Sequence, residues 1–146
     1  MGNPFVHLEL STSDVSAAKK FYKKVFDWKF IDNKQMNWTG IDVGKGVGGG
    51  MGPINMPGQP TAWTAYVDVA SVKKTVAKAE KAGAKVLVPF MPIGEMGAIG
   101  VFVDPQGAAI GVYETSKKPA AKKVARKAAP KKAAKKAAPK KAAKKK

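Results

Sequence analysis

The chain has 146 residues with 27 Lys+Arg, 10 Asp+Glu, one His and no Cys, a formal charge of +17; without cysteine there is no disulfide framework, thiolate nucleophile, zinc finger or iron–sulfur cluster. The charge is unevenly placed: fifteen basic side chains and no acid fall in residues 117–146, which leaves twelve basic against ten acidic groups, or +2, over residues 1–116. That body is enough for one compact domain and too short for two full-sized ones, and the start shows no cationic segment followed by an apolar run, so neither a secretory signal nor a membrane span is expected.

Residues 5–10 alternate like a strand and are followed by Ser11, Thr12, Ser13 and Asp14, a cluster of helix N-cap residues. Val15, Ala18, Tyr22, Val25 and Phe26 fall at helical spacing, with Phe21 beside them and Lys19, Lys20, Lys23 and Lys24 mostly on the outer face, and the helix should end near Asp27. Residues 28–32, 38–43 and 47–51 are expected strands, separated by turn residues at 33–35 and 44–46. Residues 53–60 carry Pro53, Pro57 and Pro60 and read as an extended connection.

The pattern then starts again. Residues 61–69 are rich in β-formers, Ser71 is an N-cap, and Val72, Val76, Ala79 and Ala82 make an amphipathic helix stopped by Gly83. Residues 85–88, 97–103 and 108–113 are the next strands, and Asp104, Pro105 and Gly107 fit a type I turn between the last two. The expected fold is α+β, two βαβββ modules at about residues 3–52 and 61–114 within a domain spanning 1–116.

Residues 117–146 are low-complexity, with the nonapeptide AAPKKAAKK at 128–136 and again at 137–145. A segment with so little to bury cannot offset its ordering entropy, so it is expected to be disordered alone, with short helices forming only when a polyanion removes the repulsion of Lys pairs at i,i+4. Its expected nucleic-acid contacts are Lys117, Lys118, Lys122, Lys123, Arg126, Lys127, Lys131, Lys132, Lys135, Lys136, Lys140, Lys141, Lys144, Lys145 and Lys146. With no aromatic residue and a single Arg, this binding should be backbone-directed and sequence-tolerant. RNA or anionic lipid competes with DNA as the polyanion. The Lys/Ala/Pro composition resembles the C-terminal tails of linker histones and histone-like bacterial proteins; with neither a secretory signal nor a membrane span readable, a cytoplasmic, nucleoid-associated protein is expected.

Several features of the body taken together are more telling: His7 seven residues before Asp14, the run from Ala18 to Tyr22, the run from Val25 to Trp28, Tyr66 to Asp68, and Asp104 to Gly107 before a final strand. In this order and at these distances they resemble the vicinal oxygen chelate superfamily, which includes glyoxalase I, bleomycin-resistance proteins and extradiol dioxygenases, over residues 3–114. The resemblance implies a curved mixed sheet and, in catalytic members, a divalent metal held by one side chain from each of four strands. The first ligand position falls on His7, the second among Gly48, Gly49 and Gly50, the third near Ala62 and the fourth near Gly111. Glycine and alanine offer no donor, so only His7 matches and no metal or other cofactor is expected. A substitute set of His7, Glu9 and Glu114 would be rich in carboxylate but would not reproduce the four-strand geometry.

If the sheet curves as the resemblance implies, His7, Glu9, Trp38, Thr64, Tyr66 and Tyr113 line a ligand cleft, against a background in which most aromatic residues on the strands of a small domain, Trp38, Trp63, Tyr66 and Tyr113 included, are core. His7 reads as a partly buried histidine bonded to backbone or to Glu9. The glycines at 44–50 lack the Lys-Ser/Thr and the following helix of a phosphate loop, so they let a strand bend or a ligand approach. No nucleophile–base pair is readable, so no catalytic residue is assigned and binding is favoured over catalysis. The leading reading is a metal-free, glyoxalase-like small-molecule-binding domain tethered to DNA by its tail. The alternatives are a glyoxalase- or dioxygenase-like metalloenzyme with a localising tail and a drug-sequestering protein of the bleomycin-resistance type. A second copy of the chain is a further candidate partner.

Overall fold

The computed structural model describes residues 2–116, and every expectation that falls on residues 117–146 lies outside the described residues. The first module runs β1 (Phe5–Thr12), α1 (Val15–Val25), β2 (Lys29–Asn33), β3 (Trp38–Asp42) and β4 (Gly49–Pro53). The second runs β5 (Ala62–Asp68), α2 (Val72–Lys81), β6 (Lys85–Pro92), a 3-10 turn at Gly94–Met96, β7 (Gly97–Val103) and β8 (Ala109–Thr115). The α+β class and the two βαβββ modules are as the sequence implies.

All eight strands join one sheet in the order β2-β3-β4-β1-β5-β8-β7-β6. The modules meet where β1 pairs antiparallel with β5, while β1 with β4 and β5 with β8 are parallel pairs, so the sheet is mixed.

Local chemistry sets the helix ends. Asp14 caps α1, its carboxylate accepting the Ala17 amide at 2.9 Å, whereas Ser11 and Thr12 of the expected cap cluster belong to β1. Ser71 caps α2 through Lys74 N. At the far end of α2, Gly83 sits at φ +98°, and its amide and that of Ala84 bond back to Glu80 and Ala79 in a Schellman arrangement that needs a residue free of Cβ strain.

Each helix covers its own core on one face of the sheet. Leu10, Ile41 and Met51 pack with Val15, Ala18 and Tyr22 under α1, while Val69, Val72, Val76 and Val112 pack together under α2. Strand periodicity leaves the other face for the site.

Two elements differ from expectation. β4 is displaced towards Pro53, which pairs opposite Thr12 at the strand's end rather than opening a connection. β6 continues through Pro89 to Pro92, because it is an outermost strand with register shifts at Val86/Val88 and Val88/Met91 that spare Pro89 a ladder bond.

Candidate functional site

On the face opposite the helices, the register builds the site from the middle strands. Glu9 of β1 lies between Gly50 of β4 and Thr64 of β5, His7 lies across from Tyr66, and Tyr66 lies beside Gly111 of β8. Trp38 reaches in from β3, its indole Nε1 donating to Glu9 Oε1 at 2.8 Å and Oε2 at 3.1 Å. His7 Nε2 lies 2.7 Å from Glu9 Oε2. The Glu9 carboxylate therefore bridges the indole of Trp38 and the imidazole of His7.

Aromatic rings enclose the pair. The His7 ring stacks with Trp38 at 6.1 Å between centroids and meets Tyr66 edge-on at 5.8 Å. Both large rings rest on glycine: a Cβ at Gly50 would overlap the Trp38 indole, and a Cβ at Gly111 would overlap the Tyr66 ring. The Tyr66 phenol is pushed up to about 12, first by burial and then by the charge of Glu9, so it stays a neutral donor.

Of the six expected cleft residues, His7, Glu9, Trp38, Thr64 and Tyr66 are brought together. Tyr113 is on the same face, but its hydroxyl donates to the Met96 carbonyl at 2.7 Å and ties down the 3-10 turn. Glu114 is on the helix side, accepting the Val72 amide at the start of α2, so it cannot join His7 and Glu9 in any substitute ligand set. Ala62 pairs with Ser11, so Tyr66 rather than Ala62 stands opposite His7. Sequence reasoning missed the role of Gly50 and Gly111 as ring seats; the signal available was a glycine inside a central strand, which marks close approach.

The family model for the Glyoxalase/Bleomycin resistance protein/Dioxygenase superfamily matches residues 5–112. The chain belongs to this superfamily. It is 32% identical over 124 residues to the protein named "Putative glyoxylase CFP32" in Mycobacterium bovis and in Mycobacterium tuberculosis, a match covering 80% of this chain and 48% of that protein. The chain thus spans about half the length of these curated relatives. Among solved structures, a hypothetical protein from Bacillus halodurans superposes with a TM-score of 0.59 at 10% identity, covering 81% of this chain and 98% of that one. A glyoxalase/bleomycin resistance protein/dioxygenase superfamily member from Vibrio splendidus gives a TM-score of 0.55 at 13% identity, covering 77% and 99%. These two likenesses show the fold.

A superfamily metal does not fit the residues present. Gly50 and Gly111 present no donor, their side-chain space is filled by Trp38 and Tyr66, and Glu9 is engaged by His7 and Trp38. Among the described residues no group of three or more His, Cys, Asp or Glu side chains could hold an ion. Among them, too, no helix is long and apolar enough to cross a membrane.

Proposed function

We propose that the Glu9 face binds a small planar molecule without metal and that residues 117–146 tether this domain to DNA. The observation that carries the first part is the seating of Trp38 and Tyr66 on Gly50 and Gly111, which turns ligand positions of the superfamily into aromatic walls around one carboxylate. Such walls stack flat apolar groups, while Glu9 accepts a proton donor from the ligand and Tyr66 donates to it. A thermal-shift panel of small aromatic molecules tests this. A ligand that raises the melting temperature of the native protein should lose its effect in Trp38→Ala and Glu9→Gln; no rise across the panel overturns the reading.

The tether rests on fifteen cations and no acid in the last thirty residues. Neutralising Z phosphates makes log K fall with log salt at a slope of about −0.9Z, so a gel-shift titration of the full chain against residues 1–116 decides it. Equal affinity for both at moderate salt removes the tail's role.

Membership of a superfamily whose catalytic members hold a divalent metal raises a metalloenzyme reading, which the donor set does not favour. Stoichiometric zinc, nickel, iron or manganese in the purified protein, with loss on His7→Ala, would establish it in place of the metal-free one.

A second copy of the chain is favoured as a partner by one exposed aromatic patch. Phe21, Phe26 and Trp63 are 59%, 44% and 39% exposed and join through Tyr22, to whose hydroxyl Trp63 Nε1 donates at 3.1 Å. Monomers rarely leave such patches open. Light scattering should report a dimer that Phe21→Ser/Phe26→Ser converts to monomer; a monomeric native chain refutes it.

A further inference from the structure

A groove of about 530 Å³ lies along α1 and β2, lined by four lysines (Lys19, Lys20, Lys23 and Lys29), two aromatic residues (Trp28 and Phe30) and Asp32. It is separate from the Glu9 face and uses none of its residues. Its single acid is already spent: Lys19 Nζ donates to both Asp32 oxygens at 2.7 Å, and the Thr39 hydroxyl donates to Oδ1 at 2.8 Å. Asp42, opposite Lys29 on β3, accepts the Gly44 amide. Among the described residues Lys20, Lys23 and Lys29 form no ion pair, and α1 contains no acid, so the groove is cationic beyond its one compensated pair.

Its apolar wall is braced from behind. The Trp28 ring stacks on Tyr22 at 5.6 Å and meets Phe26 at 4.6 Å, and Phe30 packs against the Leu10, Ile41 and Met51 core. A ligand therefore meets a preformed ring wall and spends little of its binding on ordering it. The volume is within the range of sites that hold small organic ligands. The positive lining favours an anion as occupant, and residues 117–146 contain no acidic side chain that could supply one.

We propose that this groove is a nucleotide-binding site, with the phosphate held by Lys20, Lys23 and Lys29 and the base lying against Trp28 and Phe30. The nucleotide is either free or an unstacked member of a single strand, since a base within a duplex cannot present its face to the wall. The site goes beyond the tethering reading and does not depend on it.

The test uses the full chain and two probes: adenosine 5′-monophosphate, followed by tryptophan fluorescence, and a 12-nucleotide oligodeoxyadenylate, followed by anisotropy across salt. Lys20→Glu/Lys23→Glu/Lys29→Glu is compared with a control of equal charge change on the other helix, Lys73→Glu/Lys74→Glu/Lys78→Glu, after circular dichroism shows both folded. Saturable monophosphate binding that weakens tenfold or more in the groove variant and less than twofold in the control establishes a free-nucleotide site. No monophosphate binding, with a salt slope for the oligonucleotide that falls by roughly 2 units in the groove variant alone, assigns the site to a strand. Equal losses in both variants, or none in either, overturn the proposal. If the native chain binds the monophosphate but not the oligonucleotide, the groove stands and the tether falls; if it binds neither, both fall.

Discussion

Trp38 on β3 donates to Glu9 on β1 by lying across Gly50 of the strand between them. The contact joins residues 29 positions apart and exists only because the middle strand has no side chain there. Gly50→Ala should therefore displace the indole and strand the Glu9 carboxylate, costing about 1–3 kcal/mol by overpacking. Urea unfolding would read that loss, and a change in tryptophan emission would locate it; unchanged stability and emission would contradict the seating.

Tyr66 makes alkaline stability diagnostic. Its folded pKa of about 12 lies above the ordinary phenol value of 10.0. Between these values the unfolded chain has released a proton that the folded chain keeps, so stability is fully present below pH 10 and is lost as pH rises towards 12. The contribution is on the order of 2 kcal/mol. Tyr66→Phe should flatten this part of the stability–pH curve, measured by urea unfolding at pH 9, 10 and 11.

Glu114 should behave as a cap. Glu114→Ala leaves the Val72 amide without its acceptor and is expected to lower stability by about 1 kcal/mol. Binding at the Glu9 face should be unaffected. A variant with native stability and altered ligand binding would return this carboxylate to the site.

Metal removal should change little. Chelator treatment followed by zinc or manganese at millimolar concentration is expected to leave the melting temperature in place, because a site worth filling would raise it through mass action. A reproducible rise that vanishes in His7→Ala would show a donor set assembled around that imidazole.

The order of elements was legible because local chemistry carried it. Asp14, Ser71, Gly83 and the turn from Asp104 to Gly107 act where their residue types suggest. His7 bonded to Glu9 was legible too, since alternation puts them on one face two residues apart. Three features escaped for a common physical reason. The strand expected at 85–88 runs on through Pro89 to Pro92, since an outermost strand needs ladder bonds on one side only. The glycines at 48–50 read as room for a bend or a ligand, yet Gly50 makes room for the protein's own indole. Lys20 and Lys23 read as outer-face residues of α1 and Lys29 as part of a strand, because nothing local shows that α1 and β2 leave a ring-walled groove beside them. Each depends on which strand lies beside which, and spacing along the chain does not encode that.

The prolines of β6 also bear on how the protein tolerates crowding. An eight-stranded sheet has two terminal ladders, and one of them ends on a strand whose Pro89 and Pro92 have no amide hydrogen to offer. The other ends on β2, five residues long and opening with Lys29. An incoming strand meets missing donors at one end and a short segment opening with a charge at the other, and both features disfavour growth into cross-β fibres.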